Sequence, residues 1–170
     1  MKNFFKDKKN GFSMIEVIVS LFIISTALTG VMTLISHTVS SSGASASRLA
    51  AAELAQEGIE VVKNIRDLNF DANGWDDCYS TYVGTNDYLI QYNDIALRPF
   101  ISEYPLRFDS LSGLYGYDAG ADTPYKRRIT LSKNPSGSDE NEILVTVQVT
   151  WTEKGRSNAL TVEDRIWNWR

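Results

Sequence analysis

Glu16 is the residue whose chemistry conflicts most with its surroundings. It is the only charge between Phe12 and Ser36, in the run FSMIEVIVSLFIISTALTGVMTLIS. As a helix these 25 residues rise about 37 Å, enough to cross a hydrocarbon core of about 30 Å. A carboxylate near one end of such a segment costs up to about 3 kcal/mol on insertion. An expense of that size asks for a reason, and the plain alternative is an interface-level glutamate on an ordinary signal anchor. Gly11 sits just ahead and closes a basic leader, MKNFFKDKKNG, that carries Lys2, Lys6, Lys8 and Lys9. The lysine cluster predicts a cytoplasmic N-terminus. An ordinary secretory signal fits poorly, because its apolar region is about 7–15 residues long and ends in small side chains.

Other chemistry-bearing residues are sparse. Asp71-Ala-Asn73-Gly74-Trp-Asp76-Asp77 sets three carboxylates and an amide oxygen around a glycine, a set that suits calcium. The spacing departs from the EF-hand and lacks its closing glutamate, so a loop capped by turn formers is the stronger expectation for Asp71, Asn73, Asp76 and Asp77. His37 is the sole histidine and lies just past the apolar run, where it reads as an interfacial side chain. Cys78 is the sole cysteine and reads as a small apolar side chain, with an intermolecular bridge as the alternative. One histidine and one cysteine exclude a zinc cluster, and a histidine beside the membrane excludes a Ser-His-Asp set. No glycine-rich phosphate loop is present. We expect no enzyme activity and no cofactor.

The net charge of −4 includes the leader's four lysines and one aspartate, so the chain from Phe12 onward carries about −7. An acidic balance argues against broad phosphate binding, and no direct nucleic-acid partner is expected. After the apolar run, roughly a hundred residues remain for one small domain.

The register of glycine, aromatic, glutamate and long apolar run resembles the class III signal of type IV prepilins and type II secretion pseudopilins. That resemblance implies cleavage after Gly11 by a prepilin peptidase and N-methylation of the new terminal residue, Phe12. It also makes Glu16 the family's assembly glutamate. A free amine on Phe12 would be poorly placed at a helix N-terminus, and a glutamate on the same or a neighbouring helix would neutralise it. Such a pair fixes register, since a misaligned neighbour leaves both charges unmatched.

The elements that must position these groups follow from periodicity. Residues 37–47 are rich in Ser, Thr and Gly but lie between helical patterns, so they read as a soft helical stretch; Gly30 is a second weak point. Residues 48–67 form an amphipathic helix with Ala51, Leu54, Ala55, Gly58, Ile59, Val61, Val62 and Ile65 on one face. Glu60 and Lys63 stand at pairing distance on the other. The wording LAAAELAQEGIEVVKNIRD resembles minor pilins of the pilus-modification type. The proline that many major pilins carry in the anchor is missing, since the first proline is Pro99.

Tyr79–Val83 and Tyr88–Tyr92 flank Gly84–Asp87 as a predicted hairpin, and Leu106–Phe108 and Leu114–Tyr117 flank Asp109–Gly113 as a second. Tyr125–Ser132, Glu142–Thr152 and Ala159–Trp167 predict an antiparallel meander, with Val145, Val147, Val149 and Trp151 on one face. Trp167 and Trp169 are expected to pack back on it.

The expected fold is α+β. A leader (1–11) precedes a transmembrane or filament-core helix (12–36), its amphipathic continuation (37–67), a variable region with short hairpins (68–124) and an antiparallel β-sheet (125–170). By resemblance the function is a structural subunit, a minor pilin, of a type IV pilus or related pseudopilus. Its partners would be the peptidase, other pilins, the assembly machinery and, before assembly, membrane lipid. The place implied is the cytoplasmic membrane, then an extracellular or periplasmic filament. The alternative is a single-pass anchored binding domain, an adhesin or DNA-uptake receptor, that never polymerises.

Overall fold

The computed structural model describes the backbone of residues 11–80, 87–133 and 142–167, and the side chains of these except 69–80. One helix, α1 (Met14–Ser80), precedes seven strands: β1 (Asp87–Leu89), β2 (Arg98–Pro99), β3 (Pro105–Asp109), β4 (Leu114–Gly116), β5 (Ala121–Lys133), β6 (Glu142–Glu153) and β7 (Arg156–Trp167). The chain divides into two compact units, Met1–Gly43 and Ala44–Arg170.

In the first unit, every described residue is exposed. The apolar side chains therefore have no cover within the chain, as expected of a segment built for lipid or for neighbouring helices. Helix persists through the soft 37–47 stretch.

In the second unit the expected meander is present. β5, β6 and β7 pair antiparallel in unbroken register, with Ile129 opposite Val147 and Val147 opposite Val162. Val145, Val147, Val149 and Trp151 are buried while Thr146, Gln148 and Thr150 are half-buried, the alternation read from the sequence. All eight residues of the predicted helix face are buried against this core. Gly58 lets the helix approach closely, because a Cβ there would lie 3.1 Å from a Val147 methyl and 3.3 Å from Arg127 Cδ.

Arg127 is the feature that the strand pattern concealed. It occupies an inward position of β5, between Tyr125 and Ile129, and its side chain is fully buried. Nη1 donates to the Leu54 carbonyl at 2.8 Å and to Glu57 Oε1 at 3.0 Å, and Nη2 donates to the Ile90 carbonyl at 2.6 Å. One guanidinium thus ties helix, central strand and the segment after β1. Its rigid fork suits this role better than a lysine would.

Several expectations need correction. The helix does not stop at Asp67 but continues to Ser80, through Asn73 and Gly74. Elongating a nucleated helix is cheap, and one glycine costs only about 1 kcal/mol. The expected variable region 68–124 therefore begins with helix. In the first predicted hairpin, Tyr79 and Ser80 end α1, residues 81–86 lie outside the described residues, and β1 pairs with β2 and β5. Lys63 pairs across to Asp164 on β7 at 2.5 Å, not with Glu60, because the sheet brings a carboxylate to it. That hydrogen bond holds the Asp164 carboxyl below its usual range. Trp167 is half-exposed and so does not pack fully back; Trp169 lies outside the described residues.

The second predicted hairpin forms, with Phe108 opposite Tyr115. The Asp109 carboxylate accepts the Leu111 N–H at 3.0 Å and the Ser112 hydroxyl at 2.8 Å, and Gly113 takes the left-handed conformation the turn needs. The tyrosines divide: Tyr88 and Tyr125 are buried, Tyr92 and Tyr104 exposed.

Removing the buried guanidinium strands the Ile90 carbonyl and opens a cavity under Gly58. Arg127→Ala is expected to lower the unfolding free energy by about 3 kcal/mol or more, read as a shift in the urea midpoint monitored by tryptophan fluorescence. A loss below about 1 kcal/mol would show that the clamp is dispensable.

Candidate functional site

The candidate site is the start of the described chain. Gly11, Phe12 and Ser13 precede α1 in non-helical backbone. The Ser13 carbonyl accepts the Glu16 N–H at 3.0 Å and the Val17 N–H at 3.2 Å, which opens the helix. Glu16 therefore lies in the first turn, where unpaired N–H groups favour an anion. Serine followed three residues later by glutamate is also the spacing of a helix-initiating pair, a local signal our sequence reading overlooked.

A Cβ on Gly11 would meet nothing within 4 Å, and its backbone is not in the left-handed region. The chain itself thus has no need of glycine at this position. Phe12 is 82% exposed, so the bond after Gly11 is open to an enzyme.

The Glu16 carboxylate has no partner among the described residues. Other polar groups in the apolar segment are satisfied locally. Ser20 donates to the Glu16 carbonyl at 2.6 Å, Ser25 to Leu21 at 2.7 Å, Thr26 to Phe22 at 2.8 Å, and Thr33 to Thr29 at 2.9 Å. Such back-bonding hides hydroxyls from hydrocarbon. Glu16 is left as the one charged group in the segment, and it has no partner among the described residues.

Residues 6–32 match the family model of the prokaryotic N-terminal methylation motif. The chain carries the class III signal peptide of type IV pilins. The match spans the junction at Gly11 and Phe12, Glu16 and more than four turns of α1, and it stops short of the head. No curated protein and no solved structure matches the chain. The head's pilin-like layout therefore stands on its own structure: one long helix followed by an antiparallel sheet.

The remaining candidates gather no site. Asp71, Asn73, Asp76 and Asp77 have helical backbone, not the expected capped loop, and their side chains lie outside the described residues, as does that of Cys78. His37 is exposed on the helix. Among the described residues no group of three or more histidine, cysteine or acidic side chains could hold a metal ion.

Because Gly11 carries no structural duty, Gly11→Ala separates recognition from folding. The variant is expected to keep the wild-type melting profile and circular dichroism yet retain the leader when co-expressed with an active prepilin peptidase. Intact-mass spectrometry reads this directly: a wild-type product still bearing Met1–Gly11 would overturn the cleavage site.

Proposed function

We propose that this chain is a structural subunit of a type IV pilus or related pseudopilus, and not an enzyme. It enters the membrane as a prepilin, is cut after Gly11, methylated on Phe12 and packed into a filament through α1. One observation carries the reading: a membrane-length helix bears the methylation motif and, in its first turn, a carboxylate with no partner among the described residues. Cleavage would create an amine on Phe12, four residues away, and in a filament the amine of a neighbouring chain supplies the cation. The pair orders the assembly by register, because a shifted neighbour leaves two charges in an apolar core.

The motif implies prepilin peptidase and other pilins as partners. The assembly machinery, and lipid before assembly, complete the set. The apolar helix fits membrane anchoring, with the lysine-rich leader on the cytoplasmic side and the head outside.

Glu16→Leu removes the expensive charge, so membrane insertion is expected to be at least as efficient as in wild type. Incorporation into fibres is expected to fall about tenfold or more, read by immunoblot of sheared filaments against total membrane protein. An anchored receptor that never polymerises predicts no such loss, and normal recovery in fibres would favour it.

Within the pilus system we assign a minor subunit, a low-abundance primer or tip component. The anchor has no proline, a single cysteine precludes an intrachain disulfide, and residues 49–67 resemble pilus-modification pilins. A subunit repeated thousands of times favours a compact, braced head, whereas this one carries short strands joined by irregular connections between β1 and β5. Quantitative mass spectrometry of purified fibres is expected to find it at a few per cent of the dominant pilin or less. Comparable stoichiometry would refute the minor role alone.

A further inference from the structure

The edge of β5 opposite β6 is shared by two short strand pairs. β3 pairs with it through Lys126, Asp122 and Ala121, and β1 through Ile129 and Thr130. Between the two pairs lies an open cleft of about 510 Å³, lined by Leu89, Arg98, Tyr104, Pro105, Arg107, Tyr117 and Asp122. That volume lies within the range of small-molecule sites, about 300–1,000 Å³.

Its lining combines apolar surface with a surplus of donors. Leu89 is buried, Tyr104 is half-exposed, and Tyr117 spends its hydroxyl on the Arg127 carbonyl at 3.3 Å. Arg107 commits only Nε, to Asp122 at 2.9 Å; its two terminal nitrogens have no partner among the described residues. Arg98 holds Asp94 through Nη2, while Nη1 stands 3.6 Å from Asp118, too far for a good hydrogen bond. Two partly free guanidinium forks line one cleft of an acidic protein.

We propose that this cleft binds a small ring-bearing carboxylate, such as a uronic-acid sugar or an aromatic acid. The planar guanidinium of Arg107 offers paired N–H donors that match a carboxylate, whereas the charge of Arg98 is already met by Asp94 and Asp118. The Tyr104 ring and the Leu89–Pro105 surface take the ring of the ligand. Asp94 and Asp118 face Arg98 and Asp122 faces Arg107, so the carboxylates outnumber the two guanidinium groups; the attraction rests on the open N–H donors of Arg107 and not on net charge, which disfavours a dianion such as phosphate more than a monoanion. This reading concerns the head alone and does not depend on polymerisation.

Titration calorimetry on the full-length protein in lipid nanodiscs tests it with sodium glucuronate, sodium phenylacetate, methyl glucoside, benzyl alcohol and inorganic phosphate. At least one of the two carboxylates is expected to bind saturably in the millimolar range, about tenfold or more tighter than its neutral counterpart and than phosphate. Preference for glucuronate would identify a saccharide ligand, and preference for phenylacetate an aromatic acid. Arg107→Gln is expected to cost about tenfold in affinity, and Tyr104→Ala several-fold, both without a shift in the melting curve. Both positions are well exposed, so neither change should disturb the core. The proposal is overturned by an absence of saturable binding of either carboxylate up to about 20 mM. Equal binding of the neutral compounds, or an Arg107→Gln variant with wild-type affinity, would overturn it as well.

Discussion

The buried Arg127 guanidinium is the constraint on which the head depends. A charge taken out of water is costly unless its donors are met, and here both terminal nitrogens are met from two separate segments, α1 and the chain after β1, while Nε has no partner among the described residues. Leu54 and Glu57 fix the helix over β5, and Ile90 fixes the chain leaving β1. Gly58 is the steric complement of the same contact, since any larger residue would press on Val147, Arg127 and Ile129 together. Meeting the two terminal nitrogens of one guanidinium therefore fixes the position of the helix over the sheet and the path of the segment after β1. Tyr125 adds a tie higher on the helix, its hydroxyl donating to the Ser47 carbonyl at 3.3 Å.

The two units of the chain answer different solvents. In Ala44–Arg170 the apolar face of the helix is covered by the sheet, and the buried charges Arg127, Asp94 and Glu142 are paired. In residues 11–43 the apolar side chains are uncovered all round, and the hydroxyls of Ser20, Ser25, Thr26, Thr29 and Thr33 turn back onto the helix. A helix that is apolar on every side is stable only where lipid or other helices surround it. The change from one regime to the other takes place in the Ser-rich stretch around Ser40–Ser47, which has neither a broad apolar face nor a charge to commit it to either solvent.

Much of this was legible before the structure. Glycine, aromatic and glutamate in register with a long apolar run carry information locally, and residues 6–32 match the methylation motif. The 100° stripe from Ala51 to Ile65 and the two-residue alternation from Val145 to Trp151 both marked the core correctly. What stayed hidden depends on contacts distant in sequence. Arg127 stood in an inward row with Tyr125, Ile129 and Leu131, so its burial could have been read; its partners, 37, 70 and 73 residues away, could not. The extension of α1 to Ser80 was missed because turn-forming residues were weighed one by one, whereas helix elongation averages over them. The β1–β2 pair is too short to carry a periodic signal, and with it the cleft beside β3 escaped notice.

The chain's own handling of charge gives the final argument about Glu16. Within the head, charged groups removed from water are matched: Arg127 with Glu57, Asp94 with Arg98, and Glu142 with Arg165. Even the partly exposed Lys63 and Asp164 are paired across the helix–sheet boundary. Glu16 departs from that pattern in the setting where an unmatched charge is most costly, a segment otherwise free of charge. A leucine would have been cheaper for simple anchoring, and a serine would have bonded back to the helix as Ser20 and Ser25 do. A carboxylate satisfies neither demand. It is the residue type expected where the missing cation arrives on a second chain, and where a wrong register must be made unfavourable.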